Sequence, residues 1–123
     1  MELSHVAVAC GSEENADRFY ADLLGLRKAE PKRLPVAIGR ALFGIERELT
    51  IINYLGDSAR VEVFICPAAP KTVEHSCLAV DDLGEFLRRC EELGIETIRL
   101  PKGETIITFV RDRDGNLFEI KEK

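Results

Sequence analysis

The sequence predicts an α+β fold made of two copies of one unit, and three recurrences carry that prediction. "LSHVAVA" at residues 3–9 and "VEHSCLAV" at 73–80 each set a histidine early in an apolar, strand-forming run. An amphipathic helix pattern follows each run and ends in "DLLGL" or "EELGI". Each copy then closes on a hairpin whose last strand, "RVEVF" or "NLFEI", holds a glutamate among apolar neighbours.

The elements follow in order from local chemistry. After the first strand, Ser12 is placed to cap a helix, Glu13 and Glu14 suit its positive end, Ala16, Phe19, Tyr20 and Leu23 share one face, and Gly25 stops it. After the second histidine strand, Asp82 and Glu85 make an Asp-x-x-Glu capping pattern, Leu83, Phe86, Leu87, Cys90 and Leu93 form the stripe, and Gly94 is the stop. The strand runs are Leu49 to Leu55 and Arg60 to Cys66 in the first copy, and Thr105 to Val110 and Asn116 to Lys121 in the second. Their turns, "GDSA" and "RDRDGN", carry the Gly and Asp signals of strand reversal. From histidine to glutamate the first copy takes 57 residues (His5 to Glu62) and the second 44 (His75 to Glu119), so the first is longer by 13. The surplus falls in "AEPKRLPVAIGRALFGIERE", residues 29–48, read as an extra loop or a lengthened strand pair broken at Pro31 and Pro35.

Length and composition bound the function. A chain of 123 residues, 46% hydrophobic and 32% charged, fits one ordinary domain with a real core. A net charge of -5 and a pI near 5.1 supply no overall positive field for nucleic acid or anionic lipid. The opening residues lack a basic segment followed by an apolar stretch, so neither a secretion signal nor a membrane span is expected, and the cytoplasm is the expected location. Cys10, Cys66, Cys77 and Cys90 form no Cys-x-x-Cys pair. They read as reduced thiols, with Cys77 and Cys90 acting as small hydrophobes in apolar patterns.

Alternation along a strand sets the candidate site. His5 shares a face with Leu3 and Ala7, and His75 with Val73 and Cys77. Glu62 opposes Val61 and Val63, and Glu119 opposes Phe118 and Ile120, so one sheet face is expected to be polar. A lone strand histidine is usually a hydrogen-bonded core or surface residue, and a lone strand glutamate usually faces water on a half-exposed sheet. Here both histidines of the chain recur at one place in the repeat and a glutamate recurs at another. Two neutral imidazoles and two carboxylates suit a borderline or hard divalent ion with positions left for a small-molecule substrate. Such an ion stabilises charge on a carbonyl oxygen and makes the neighbouring proton removable, and with no third histidine the base is Glu62 or Glu119.

The stretches "SHVAV…FYADLLGL" and "EHSCLAV…RDRDGNLFEI" resemble the vicinal oxygen chelate superfamily, the glyoxalase, bleomycin-resistance and dioxygenase group, over nearly the whole chain. The resemblance implies two βαβββ modules, residues 1–66 and 73–123 of one domain, forming a curved mixed sheet around a metal cleft. It places the metal ligands at His5, Glu62, His75 and Glu119, with Ni, Co, Zn, Mn or Fe as the ion. That set is most similar to bacterial glyoxalase I, which implies a lactoylglutathione lyase-like isomerisation by proton transfer alpha to a metal-bound carbonyl, with Glu119 and Glu62 as catalytic residues. Methylmalonyl-CoA epimerase is the alternative, although it usually has glutamine in place of Glu62. Extradiol dioxygenases use further histidines that this chain lacks, and fosfomycin-type transferases rank below both. A drug-sequestering binding protein is the non-enzymatic alternative. The family also implies a homodimer. Lys28, Lys32, Arg33, Arg40 and Arg47 could meet anionic groups, but the interleaved Glu30, Glu46 and Glu48 make that run a solvated face.

Overall fold

In the computed structural model, which describes residues 4–67 and 74–123, the strands form two separate mixed sheets. The chain divides into two compact units, Met1–Ala68 and Ala69–Lys123. The expected junction between the copies, and Leu3 and Val73 as face neighbours of the histidines, lie outside the described residues.

In the first unit β1 (Val6–Cys10) pairs in parallel with β5 (Arg60–Ile65), which pairs antiparallel with β4 (Leu49–Leu55). Two short strands, β2 (Arg27–Lys28) and β3 (Lys32–Leu34), pair antiparallel along β4. The connection from β1 begins as α1 (Glu13–Ala16), where the Ser12 hydroxyl accepts the Asn15 N–H at 3.1 Å, and runs on as a π-helical segment, Asp17–Leu23. The expected apolar stripe is the buried one: Ala16, Phe19, Tyr20 and Leu23 are all in the core. What differs is the winding, with the Leu24 N–H reaching back five residues to the Phe19 carbonyl at 3.0 Å. Apolar positions over only two turns do not distinguish a 3.6-residue from a wider turn. Tyr54 of β4 packs against Tyr20 with ring centroids 5.5 Å apart and donates its hydroxyl to Asp17 at 2.7 Å, while Lys28 ties Asp17 (2.9 Å) to Glu13.

The second unit repeats the topology with fewer pieces. β6 (His75–Val80) pairs in parallel with β9 (Leu117–Glu122), and β9 is followed across the sheet by β8 (Thr105–Arg111) and β7 (Glu96–Lys102), both antiparallel. The helix α3 (Leu83–Leu93) starts where Asp82 accepts the Glu85 N–H at 2.8 Å and ends at Gly94, whose φ of 64° is the left-handed conformation that favours glycine. The capping pattern is only half used. Glu85 turns its carboxylate to Arg88, and Glu122 accepts the Leu83 N–H at 2.8 Å. Phe86 and Cys90 of α3 are buried, as are Val110, Phe118 and Ile120 on the strands.

The structure corrects two expectations and adds a strand, β7, to the runs read from the second copy. The surplus segment of the first copy is not simply a loop or strand pair: beyond β3 it forms a helix, α2 (Val36–Phe43), with Pro35 at its N-cap and Gly44, φ 68°, at its C-cap. Proline's fixed φ and missing donor suit a helix start as well as a break. β7 includes Pro101 within a strand, tolerable because β7 is the edge of its sheet. Cys77 is exposed rather than packed as a small hydrophobe, because it shares the outward face of β6 with His75.

Candidate functional site

Strand register builds two matching half-sites. In β1 and β5 the directly paired residues are Ala7 and Glu62, and His5 stands two positions before Ala7. In β6 and β9 they are Cys77 and Glu119, and His75 stands two positions before Cys77. Alternation puts each histidine and its glutamate on one face, diagonal to each other on neighbouring parallel strands. His5 Nε2 lies 3.5 Å from Glu62 Oε2, and His75 Nε2 lies 4.0 Å from Glu119 Oε2. Solvent access matches as well: 41% for both histidine side chains, and 18% and 20% for the two glutamates. The structure therefore brings His5 to Glu62 and His75 to Glu119.

Each pair has the chemistry of half a metal site. Two donors held by one ion at about 2.0–2.2 Å each are about 3–3.5 Å apart at angles near tetrahedral or octahedral, so the first pair already has that bite and the second nearly so. Partial exposure lets the carboxylates stay hydrated when no ion is present and leaves access for a ligand.

The surroundings of the two acids were not foreseen, and here the expectation of a polar face is too simple. Glu62 faces Asn53 across the hairpin, while Glu119 faces Phe109. The Asn53 side-chain oxygen accepts from Arg60 Nε at 3.1 Å, and Arg60 Nη2 lies 3.8 Å from Glu62 Oε2. On the other side Phe109 packs edge-on to the His75 ring at 5.6 Å, and Lys121 Nζ lies 3.4 Å from Glu119 Oε1. Phe64, two residues beyond Glu62, stacks edge-on with Phe43 of α2 at 5.3 Å, so the inserted helix covers part of the same face as Glu62. Hairpin register was the available signal: once Leu55 is set opposite Arg60 across "GDSA", Asn53 falls opposite Glu62.

Behind the sheet faces, the groups with displaced pKa values have structural causes. Burial, with the hydrogen bond to Asp17 second, raises the Tyr54 hydroxyl far above its usual value. Burial pushes the Cys90 thiol up to about 11. The hydrogen bond to Glu13 raises Lys28 above 10.5.

The family model described as the Glyoxalase/Bleomycin resistance protein/Dioxygenase superfamily matches residues 2–120. The chain belongs to this superfamily. Among curated relatives of this glyoxalase-family chain, lactoylglutathione lyase of Salmonella typhimurium is 30% identical over 129 residues, covering 99% of this chain and 93% of that protein. Methylmalonyl-CoA epimerase, mitochondrial, of Dictyostelium discoideum is 24% identical over 133 residues, covering 99% and 78%. The crystal structure of a glyoxalase family protein from Enterococcus faecalis has the same fold, with a TM-score of 0.72 at 24% identity over 97% of this chain and 95% of that one. The α+β class expected from the recurrences and the family expected from the resemblance are both borne out.

Proposed function

We propose that this chain is a metal-dependent enzyme that moves a proton on the carbon next to a substrate carbonyl, in the manner of a lactoylglutathione lyase. One observation carries the reading: the identical strand register that sets His5 beside Glu62 and His75 beside Glu119 in two units of otherwise different detail. A shared ion-binding task accounts for the pair's recurrence at the same register in both units. The 30% identity to a lactoylglutathione lyase along nearly the whole chain supports the same reading.

In this proposal the four side chains form one donor set. His5 and His75 donate neutral imidazole nitrogens, and Glu62 and Glu119 donate carboxylate oxygens, a mixture suited to nickel, cobalt, zinc, manganese or iron(II). Bound there, a divalent ion supplies Lewis acidity that eases loss of the proton beside a carbonyl. Glu119 or Glu62 takes that proton from the substrate carbon. Returning it to the neighbouring carbon gives an isomerisation, and returning it to the opposite face of the same carbon gives an epimerisation, the alternative reading. The ring of Phe109 against His75, opposite Glu119 in register, gives the second half-site an apolar wall on one side. The proposal includes a homodimer and a cytoplasmic setting, the latter supported by four cysteines that are all free thiols.

The test loads purified protein with nickel, cobalt, zinc or manganese. It follows loss or exchange of the alpha hydrogen in hemithioacetals and coenzyme A thioesters side by side. One ion per chain, lost on His5→Ala or His75→Ala, together with hydrogen exchange in one substrate class, is the expected result. Metal occupancy unchanged by both substitutions, or no exchange in either class, would overturn the reading and favour a drug-binding role.

A further inference from the structure

We propose that Arg60 is a recognition residue for a carboxylate carried by the substrate close to its reacting carbonyl. The inference rests on the functional reading above and narrows its substrate class to anionic carbonyl compounds.

Three observations carry it. Arg60 opens β5 two residues before Glu62, so alternation turns its side chain to the face that holds Glu62. Its guanidinium is anchored from behind by a neutral group: Nε donates to the side-chain oxygen of Asn53, which is only 8% exposed and therefore a firm support. Its nearest carboxylate, Glu62 Oε2, is 3.8 Å from Nη2, too far for a hydrogen bond. Arg33 and Arg40 are instead closed onto Glu48 and Glu46 at 2.5 and 2.6 Å. Among the described residues, Arg60 is thus held in place while its terminal nitrogens lack a hydrogen-bonded acid. A planar fork with a fixed Nε and open Nη atoms is the arrangement that takes a carboxylate by two parallel bonds.

Charge points the same way. The oxygen nearest Arg60, Glu62 Oε2, is also the one 3.5 Å from His5 Nε2. When that oxygen is committed to a divalent cation, its charge no longer offsets the guanidinium, and a positive region is left at the edge of the first half-site. An incoming carboxylate offsets it. The second unit lacks this arrangement: Leu117 stands two residues before Glu119, and Lys121 lies against the other carboxylate oxygen, Oε1. Anion recognition is therefore assigned to the first unit.

Malonamate and malonamide test the proposal, since both offer an amide carbonyl and differ in one carboxylate. Calorimetric titration into zinc-loaded native protein is expected to show malonamate binding about tenfold tighter, which is about 1.4 kcal/mol. Arg60→Gln should abolish that preference while leaving malonamide affinity, zinc stoichiometry and melting temperature unchanged, and Arg60→Lys should keep part of it. Equal affinities in native protein, a preference that survives Arg60→Gln, or no measurable binding of malonamate at millimolar concentration would overturn the proposal. The same titrations on metal-free protein separate the two readings. If no zinc binds, the metal-dependent reading fails, whereas a malonamate preference that Arg60→Gln removes still supports recognition by Arg60, and its absence still counts against it.

Discussion

Around their acids the two units are alike in donor geometry and opposite in surroundings. Glu62 has Asn53 across the hairpin, Arg60 two residues before it and Phe64 two residues after. Glu119 has Phe109 across the hairpin, Leu117 before it and Lys121 after. Cation and apolar groups have traded places while the histidine, the glutamate and their register stayed the same. Under the proposed function the difference is a division of labour: the shared part is what an ion would require, and the part that differs is what a substrate and a proton transfer would require. The first unit presents a polar, cationic edge at Arg60 and Asn53 with α2 packed farther along the same face on Phe64, and the second presents an aromatic wall.

The largest effects should come from the acids. Glu119→Gln is expected to keep the fold and lower turnover by about 10²–10⁴-fold, the usual contribution of a positioned base. Glu62→Gln, measured beside it by steady-state kinetics with metal content assayed, sharpens the comparison: the acid whose loss lowers turnover more at equal metal occupancy is the base. Equal, small losses from both would break the division of labour.

Core packing behind the acids should also differ between units. Phe118, 1% exposed, and Val61, 3% exposed, each precede the acid on its strand and point into the core of their own unit. Phe118→Ala is expected to cost about 3–5 kcal/mol in denaturant unfolding. Val61→Ala, losing two methyl groups, should cost about 1.5 kcal/mol.

Alkaline sensitivity should belong to the first unit, where Tyr54 and Lys28 both meet Asp17. Both groups have folded pKa values above their unfolded ones, so their stabilisation is present in full below the unfolded values and is lost progressively as pH climbs from there toward the folded values. Melting temperature should therefore fall above about pH 10, the ordinary tyrosine value. Tyr54→Phe, costing about 1 kcal/mol at neutral pH, should flatten that fall. An unchanged slope would mean that the tyrosine does not carry it.

The smallest effect concerns thiols. Cys77, exposed and paired in register with Glu119, should be alkylated by iodoacetamide at neutral pH and be protected by bound metal. Cys90, fully buried with its thiol pushed up to about 11, should stay unmodified under the same conditions by mass spectrometry. Its counterpart in the first copy, Ala21, also four residues before the helix-stopping glycine, offers no thiol for the comparison.

Much of each unit was legible residue by residue. Ser12 and Asp82 cap their helices, Gly25 and Gly94 take positive φ at the stops, and "RDRDGN" turns with Asp112 accepting the Asp114 and Asn116 N–H groups. These features depend on chemistry within a few residues, which a sequence displays directly. The π-helical winding at Asp17–Leu23 was not legible, since Tyr54 and Lys28 grip Asp17 from distant strands. Nor was α2, because Pro35 serves a break and a helix start equally well and the packing of Phe43 on Phe64 lies outside local pattern.

By itself the sequence determined which side of each strand His5, Glu62, His75 and Glu119 occupy, because strand alternation has a period of two and the histidines recur with their strands. Only the tertiary structure decided the company those side chains keep. Arg60 on Asn53, Phe109 on His75 and α2 over Phe64 arise from pairing and packing between segments apart in the chain, and such contacts follow from how whole elements fit rather than from any local rule.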